Sequence, residues 1–244
     1  MMSTAASRLI AASVLALTLI GNAGSATAAS RSALWAVVQS CVLGLTFLCQ
    51  EVTVPDESNE LGYAVINSTH SPTEFLIVPA VQVAGVESPA ARSTAGARLW
   101  QLAWDQRHRV DDALGRALPR TAVGLAVNSA GTRTQDQLHI HLECVSAKVQ
   151  RRLASQAPAL PGPWTALPKK LAGSHYFIKT VASANLREVN VLEEVVSLPG
   201  ATMSKASVAA IGAILSDGQD GFYLLVNFDN VSSERLLDHS CQDN

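Results

Sequence analysis

Charged residues are scarce in this chain of 244 residues: they make up 16% of it, and the formal net charge is −2. The sequence has no basic patch of the kind that binds nucleic acid and no acidic run that indicates a charge-based partner. We therefore expect no nucleic-acid partner. Hydrophobic residues make up 48%, which favours a folded chain with one large domain or two small ones.

A long apolar run is also missing. The most apolar stretch, residues 9–20, is shorter than the roughly 20 residues of a membrane-spanning helix. Arg8 precedes it, and residues 26–28 (Ala-Thr-Ala) fit a signal-peptidase site. Residues 1–28 are therefore predicted to be a signal peptide or, if uncleaved, a weak N-terminal membrane anchor. The mature chain is expected outside the cytoplasm, in the periplasm or another extracytoplasmic space, next to the membrane.

The four cysteines are Cys41, Cys49, Cys144 and Cys241, and they include no C-x-x-C pair. Zinc sites built on cysteine usually need such tight pairs, so this kind of site is not expected. Four cysteines allow three disulfide pairings, with free thiols as the alternative. Export favours disulfides. Pairing Cys41 with Cys49 would close a short loop, and Cys144 would then pair with Cys241.

The stretch from 135 to 145 alternates polar and apolar residues. In a β-strand, alternate side chains share one face. His139, His141 and Glu143 would then lie on one face with Gln137, whereas residues 138, 140, 142 and 144 would line the core. The sequence therefore predicts a strand with one chemically active face.

The remaining patterns predict an α+β fold of antiparallel strands with a long packed helix. The helix is predicted over residues 90–118, ended by Pro119, and a shorter one over residues 147–157. Strands are predicted at residues 63–66, 74–78, 121–127, 176–181, 190–196, 208–214 and 222–226. The C-terminal strands either extend the first sheet or form a second small lobe.

Two histidines on one strand face have three interpretations. They could bind a metal with Glu143 and either His175 or His239 as further ligands. They could pack or hydrogen-bond without any chemistry. Finally, a neutral imidazole could attack phosphorus, while the upstream amides of Asn128 and Gln135 donate hydrogen bonds to phosphate oxygens.

The spacing of Asn128, Gln135, His139 and His141 after a long helix and an extended strand resembles the histidine triad superfamily of nucleotide hydrolases and transferases. More closely, the chain resembles the bacterial CDP-diacylglycerol pyrophosphatase family, a membrane-associated branch. The resemblance spans residues 35–241. It is carried by residues 61–63 (Leu-Gly-Tyr), 75–79 (Phe-Leu-Ile-Val-Pro), 87–89 (Glu-Ser-Pro), 102–104 (Leu-Ala-Trp), 128–129 (Asn-Ser), 133–141 (Arg-Thr-Gln-Asp-Gln-Leu-His-Ile-His), Cys144 and 238–241 (Asp-His-Ser-Cys).

This resemblance implies a HIT-like domain over residues 32–244, extended by further C-terminal strands. It implies hydrolysis of CDP-diacylglycerol, met at a membrane surface, to CMP and phosphatidate through a nucleotidyl-histidine, as a step of phospholipid metabolism. It implies no redox cofactor and no bound metal. The alternatives are a broader-specificity nucleotide pyrophosphatase and a non-enzymatic exported module that binds a metal or a nucleotide.

The resemblance leaves two candidates for the nucleophile. Keeping the spacing of the upstream amides puts His141 in the central, nucleophilic position, with His139 assisting. Glu143 then takes the third position of the strand pattern, where it would contact phosphate together with Asn128 and Gln135. The alternative register begins at Gln137 and makes His139 the nucleophile. We favour His141. Either register lacks one histidine of the superfamily pattern, and a carboxylate at position 143 repels phosphate unless it is protonated or turned away.

A lipid substrate also requires an apolar surface beside the histidine strand. The sequence offers two candidates for it: the helix with Trp100 and Trp104, and the proline-rich residues 158–168.

Overall fold

An antiparallel sheet forms the centre of the computed structural model, which describes residues 31–45 and 47–241. Its strands are β1 (Cys49–Thr53), β2 (Tyr63–Asn67), β3 (Phe75–Val78), β4 (Val123–Val127), β5 (Ile140–Cys144), β6 (Thr165–Ala166), β7 (Phe177–Ala182), β8 (Ser207–Ile214) and β9 (Asp220–Asn227). Their order across the sheet is β1-β2-β3-β5-β4-β8-β9-β7-β6, and every neighbouring pair is antiparallel. The predicted α+β class is confirmed, while the HIT-like topology stays a prediction.

The order of strands also decides between one sheet and two lobes. Strand β4 pairs with β5 on one side and with β8 on the other. The C-terminal strands therefore extend the first sheet. The strands predicted at 63–66 and 74–78 are confirmed as β2 and β3, which form an antiparallel pair, and β8 and β9 pair along their whole length.

Helices cover the sheet. They are α1 (Ala33–Val42), α2 (Pro89–Arg92), α3 (Thr94–Asp105), α4 (His108–Leu114), α5 (Ala147–Gln156) and α6 (Val191–Val196), with short 3-10 turns at Arg120–Ala122, Met203–Lys205 and Ser233–Leu236. The predicted helix at 147–157 is confirmed as α5, whose first turn is capped by the Ser146 hydroxyl accepting from the N–H of Val149.

The single helix predicted over residues 90–118 is wrong, because three shorter helices occupy that stretch. Ser93 has an extended backbone, and its hydroxyl accepts from the N–H of Gly96 at 3.2 Å, so that α3 begins anew. Gly115, with φ 67°, ends α4 before Pro119 is reached. Local capping therefore overrides the continuous helical period.

One further prediction is wrong. Residues 190–196 form helix α6 rather than a strand, because Asn190 caps the N–H of Glu193 at 3.2 Å and starts a helical turn. The β-branched valines of α6 favour a strand, but this preference is weaker than the stabilisation of a helix by a good N-cap.

The core lies on both faces of the sheet. Helix α3 packs on one face, where Trp104 meets Phe222 edge to face with ring centroids 4.8 Å apart. Trp100 and Trp104 are 2% and 1% exposed, so the predicted lipid surface on this helix is wrong. The alternation of the histidine strand is confirmed on the core side, where Leu138, Ile140, Leu142 and Cys144 all join the main cluster.

Two disulfides are present, and both follow the expected pairing. Cys41 is bonded to Cys49 and Cys144 to Cys241, with Cα–Cα distances of 5.9 and 5.6 Å. The first closes the loop between α1 and β1. The second ties the C-terminal segment to β5. Residues 1–28, predicted as a signal peptide or anchor, lie outside the described residues, within which no helix is long and apolar enough to cross a membrane.

Candidate functional site

A cavity of about 390 Å³ opens where β5 meets helix α1, the turn between β2 and β3, and the loop that follows β4. Its apolar lining consists of Ala33, Leu34, Val37, Leu48, Ile66 and Leu76. Its polar lining includes Glu74, Asn128, Gln135, His139, His141 and Glu234. The sequence-predicted amides and histidines therefore meet in one cavity, while Glu143 does not line it.

His141 extends from β5 and is held by a buried carboxylate. Its Nδ1 lies 2.7 Å from Glu74 Oε1, and Glu74 is only 1% exposed. Burial by itself raises the pKa of Glu74, but the hydrogen bond and the charge of His141 outweigh burial and lower this pKa to about 2. An ionised carboxylate can only accept, so the Nδ1 of His141 carries a proton and donates it.

The second ring nitrogen of His141 is available for chemistry. Nε2 is buried and has no hydrogen-bond partner among the described residues. When Nδ1 is the protonated nitrogen of a neutral imidazole, Nε2 carries the lone pair. His141 thus has the arrangement of an oriented nucleophile, with one nitrogen fixed by an acceptor and the other unoccupied.

His139 is held differently. Its Nδ1 lies 2.7 Å from the carbonyl oxygen of Gln137, and its ring meets that of His141 edge to face with centroids 4.8 Å apart. Burial, assisted by the proximity of His141, lowers the pKa of His139 to about 4. The ring is therefore neutral at neutral pH, and it packs against His141.

Asn128, which follows β4, is tied to the short turn Ser233–Leu236. Its Nδ2 donates to Glu234 Oε2 at 2.9 Å, and its Oδ1 accepts from the Ser232 hydroxyl at 2.7 Å. Glu234 Oε2 also lies 3.6 Å from His141 Nε2. A negatively charged group therefore stands between an amide donor and the unoccupied ring nitrogen.

Gln135 connects the cavity to α1. Its Oε1 accepts the backbone N–H of Leu34 at 2.9 Å, at the start of that helix. Beside it, Asp136 accepts two hydrogen bonds from the Arg31 guanidinium, at 2.6 and 2.7 Å. These contacts hold α1 against the loop, and they place the Gln135 side chain on the cavity wall.

Glu143 is completely buried and turned away from the cavity. Its Oε1 accepts from the hydroxyl groups of Ser71 and Thr73, at 2.6 and 2.9 Å. Its Oε2 lies 2.6 Å from His239 Nδ1. Burial raises the pKa of Glu143 in spite of these partners. Its expected contact with phosphate stays a prediction, whereas its contact with His239 is direct.

Two groups of side chains are close enough to share a cation. The first comprises Glu74, His141 and Glu234, and the second Glu74, Glu143 and His239. His139 and His175, both candidates of the metal interpretation, belong to neither group. The structure thus changes the ligand set that a metal would meet, with carboxylates outnumbering histidines.

Sequence reasoning missed Glu74 and Glu234, and it named His239 only as a possible metal ligand and as part of the residues that carry the family resemblance. Glu74 reaches His141 because β3 pairs with β5, with Leu76 opposite His141. Glu234 and His239 arrive from the C-terminal segment, about 100 residues along the chain. The one sequence signal for this segment was Cys241, whose bond to Cys144 fixes the segment against β5, with His239 in contact with Glu143.

Comparisons with known proteins identify the family of this chain. The family model described as CDP-diacylglycerol pyrophosphatase matches residues 29–244. A Yersinia pestis protein named CDP-diacylglycerol pyrophosphatase is 30% identical over 224 residues, which cover 86% of this chain and 84% of that protein. A Mycobacterium leprae protein named probable CDP-diacylglycerol pyrophosphatase is 32% identical, covering 88% and 82%. A Mycobacterium tuberculosis protein named CDP-diacylglycerol pyrophosphatase is 32% identical, covering 87% and 84%. The chain belongs to the CDP-diacylglycerol pyrophosphatase family of hydrolases.

Proposed function

We propose that this protein hydrolyses the pyrophosphate bond of CDP-diacylglycerol to CMP and phosphatidate, with a covalent nucleotidyl-histidine on His141. One observation carries the mechanism: Glu74 binds Nδ1 of His141, and Nε2 is left without a partner among the described residues, in a cavity that contains amide donors. Family membership and the printed names of the relatives support the substrate.

The first step forms the covalent intermediate. The lone pair of His141 Nε2 attacks the phosphorus of the CMP half, and the bond to the phosphatidate oxygen breaks with its electron pair. Glu74 keeps the proton on Nδ1 and stabilises the positive charge that the imidazole gains. In the second step, water attacks the same phosphorus and releases CMP from His141.

The amides supply the electrostatic part of the reaction. Asn128 Nδ2 already binds an anionic oxygen, that of Glu234, and it would bind a phosphate oxygen in the same way. Gln135 lines the cavity beside it. Donors fixed before substrate arrives stabilise the charge that develops on the phosphoryl oxygens.

His139 assists in this proposal and does not attack. Its Nδ1 is bound to a neutral backbone oxygen and not to a carboxylate, so it lacks the partner that would stabilise a charged ring. Its packing against His141 restricts the orientation of the nucleophile. The competing register, with His139 as nucleophile, predicts the opposite effects of substitution.

The experiment is incubation of the purified chain with CDP-diacylglycerol, with CMP release as the readout. We expect turnover by the wild type, at least a thousandfold loss in His141→Ala, and a smaller loss in His139→Ala. Substrate labelled at the cytidine-side phosphorus should leave label on the protein during turnover. Full activity of His141→Ala overturns the assignment of the nucleophile.

The same purified protein also tests two alternative functions. A panel of CDP and ADP derivatives tests the broader nucleotide pyrophosphatase, which would cleave them at similar rates. The non-enzymatic module predicts stoichiometric metal, held by the group of Glu74, His141 and Glu234, and no hydrolysis of any nucleotide. Metal analysis of the same sample checks this.

We further propose that the protein is exported and acts in phospholipid metabolism at the membrane surface. The disulfides support export, because such bonds persist outside the cytoplasm. Fractionation of cells that produce the full chain tests the location. Recovery in the cytoplasm with free thiols would argue against it.

A further inference from the structure

Residues 43–45 and 47–48, between α1 and β1, expose apolar side chains, and we name them the apolar loop. Leu43, Leu45 and Phe47 are 69%, 75% and 91% exposed. The sequence from Ser40 to Cys49 contains no charged residue. Exposed groups of large apolar side chains mark interaction surfaces, because water contact with them is unfavourable.

The apolar loop is held in shape at its base. The disulfide between Cys41 and Cys49 joins its two ends. Gly44, with φ 68°, ends helix α1 and donates its N–H to the carbonyl of Cys41 at 2.9 Å. A loop that is closed before binding loses less conformational freedom when its tip is buried.

The apolar loop also continues into the cavity. Leu48 at its end lines the same cavity as Leu34 and Val37 of α1 and as His141. A diacylglycerol nucleotide likewise combines phosphates at one end with acyl chains at the other. Acyl chains that leave the cavity over Leu48 therefore reach the apolar loop.

We propose that the apolar loop inserts into the acyl region of a phospholipid membrane and holds the mouth of the cavity at the lipid surface. This inference rests on the proposed function, since it assigns a lipid to the apolar lining of the same site. Leu43, Leu45 and Phe47 offer only hydrocarbon, as insertion between acyl chains requires. The partner is thus the hydrocarbon layer itself, and binding should depend little on headgroup charge.

The first test compares two substrates in the full chain. Leu45→Ser/Phe47→Ser should lower CMP release from CDP-diacylglycerol in phosphatidylcholine vesicles at least tenfold, and leave hydrolysis of water-soluble CDP-glycerol unchanged. The matched control is Leu160→Ser/Ile214→Ser, which removes exposed apolar side chains elsewhere. It should change neither rate. Unchanged vesicle turnover in the loop variant overturns the proposal, as does an equal loss on both substrates.

A second readout does not depend on activity. The fluorescence added by Phe47→Trp, relative to the wild type, should be quenched by brominated lipids. If quenching occurs but neither protein releases CMP, the proposed function fails and the insertion stands. Without quenching, the insertion is wrong. If light scattering shows that Leu45→Ser/Phe47→Ser turns a dimer into a monomer with vesicle turnover unchanged, the loop binds a second copy and the lipid proposal is wrong.

A different observation concerns the C-terminal segment. His239 Nδ1 is held by Glu143 at 2.6 Å, and its Nε2 lies 3.8 Å from Glu234 Oε1. The other oxygen of Glu234 lies 3.6 Å from His141 Nε2. One carboxylate therefore lies between the outer nitrogens of two imidazoles.

That carboxylate marks the place of a phosphate. A carboxylate and a phosphoryl group are both anionic and accept the same hydrogen bonds, and Asn128 already donates to Glu234. When a substrate phosphate takes this position, His141 lies on one side of the phosphorus and His239 on the other. In an in-line displacement, the leaving oxygen departs on the side opposite the nucleophile.

We infer that His239 is the catalytic acid and base opposite His141, which again rests on the proposed function. As His141 Nε2 bonds to the CMP phosphorus, the phosphatidate oxygen leaves with the electron pair and takes the proton from His239 Nε2. Water then gives a proton back to His239 while its oxygen bonds to the phosphorus. The P–N bond breaks, and its electron pair returns to His141.

The surroundings of His239 suit this cycle. Burial lowers the pKa of His239, but the carboxylates of Glu143, Glu74 and Glu234 that face it outweigh burial and raise the pKa. The ring is therefore more readily protonated near neutral pH, as the first step requires. The bond from Cys241 to Cys144 fixes the segment two residues away.

The test is a series of cytidine 5′-phosphate aryl esters whose phenols differ in acidity. His239→Gln should lower kcat about 100-fold for esters of the least acidic phenols, and progressively less for esters of more acidic ones, which need no proton. The alkaline limb of the pH profile should also disappear. His175→Gln, an exposed histidine away from the cavity, is the matched control and should match the wild type.

An equal loss for every ester, with an unchanged pH profile, would show a merely structural role and overturn this inference. Because His239 is about half exposed, the substitution should not unfold the protein, and thermal unfolding checks this. A wild type that cleaves the esters but not CDP-diacylglycerol contradicts the proposed substrate. The dependence on leaving-group acidity then still decides the role of His239.

Discussion

Glu234 Oε2 faces His141 Nε2 across 3.6 Å. This carboxylate occupies the position at which we propose that a substrate phosphate binds, and it accepts the hydrogen bond of Asn128 there. In the proposed mechanism, a substrate phosphate therefore displaces a like charge before it reaches the nucleophile. The free energy of that displacement reduces the affinity for substrate.

Replacing Glu234 with glutamine should thus strengthen substrate binding. Like charges about 4 Å apart near a protein surface repel by several kcal/mol at most, and exposure to solvent reduces this. We expect Glu234→Gln to lower KM for CDP-diacylglycerol about tenfold with little change in kcat. The control is Glu188→Gln, at an exposed glutamate. A higher KM would show that Glu234 assists binding.

Glu74 should act through His141 and not through substrate. Glu74→Gln keeps the shape of the side chain but removes the charge that stabilises the imidazolium. We expect kcat to fall about 100- to 1000-fold with KM nearly unchanged, as when the carboxylate partner of a catalytic histidine is removed. Steady-state kinetics measure it, and Glu57→Gln serves as the exposed control. Wild-type kcat in Glu74→Gln would contradict the role of His141.

His139 should make the stability of the protein depend on pH. Its pKa falls from 6.5 to about 4 on folding, so between these values the unfolded chain binds the extra proton. Its contribution is complete above pH 6.5 and is lost as the pH falls towards 4. At about 1.4 kcal/mol per pKa unit, the loss approaches 3 kcal/mol.

The measurement is urea unfolding at pH 7.5 and pH 5 with disulfides intact. His139→Asn keeps a donor near the Gln137 carbonyl and should lose less stability than the wild type on acidification. The exposed His108→Asn should behave like the wild type. Equal pH dependence in all three proteins would contradict the buried neutral state of His139.

The two disulfides should stabilise the fold unequally. Cys144 and Cys241 are 97 residues apart, and Cys41 and Cys49 are 8 apart. Chain entropy then gives about 5 kcal/mol for the long loop and roughly 2 to 3 kcal/mol for the short one. The double alanine variants, compared by urea unfolding, should differ in that order. A larger loss in Cys41→Ala/Cys49→Ala would contradict it.

Local signals in the sequence predicted most of the sheet. Alternation identified β5, and strand-forming runs identified β2 and β3, because each depends on neighbouring residues alone. The same logic failed at residues 90–118, where the Ser93 cap and Gly115 interrupt a continuous helical period. The prediction of a strand at α6 failed because the Asn190 cap stabilises a helix in a valine-rich stretch that favours a strand.

The sequence predicted the site residues only where they lie close together along the chain. Asn128, Gln135, His139 and His141 lie within 14 positions, and one strand with its preceding loop brings them together. Glu74 and Glu234 reach His141 through strand register and the folded C-terminal segment, which no local pattern encodes. Glu143, which occupies the position of the missing third histidine, is an example. Its contact with His239 joins residues 96 positions apart, so neighbouring residues could not predict it.

The pairing of the cysteines has a consequence for how the chain matures. The first two cysteines of the chain bond to each other, Cys41 to Cys49, and so do the last two, Cys144 to Cys241. A chain delivered amino terminus first into an oxidising compartment would offer Cys41 only one partner until Cys144 follows. Oxidation in order of arrival therefore gives the native bonds without disulfide exchange. The residues around His141 would be completed last, when Cys241 emerges, so that activity appears only in a fully delivered chain.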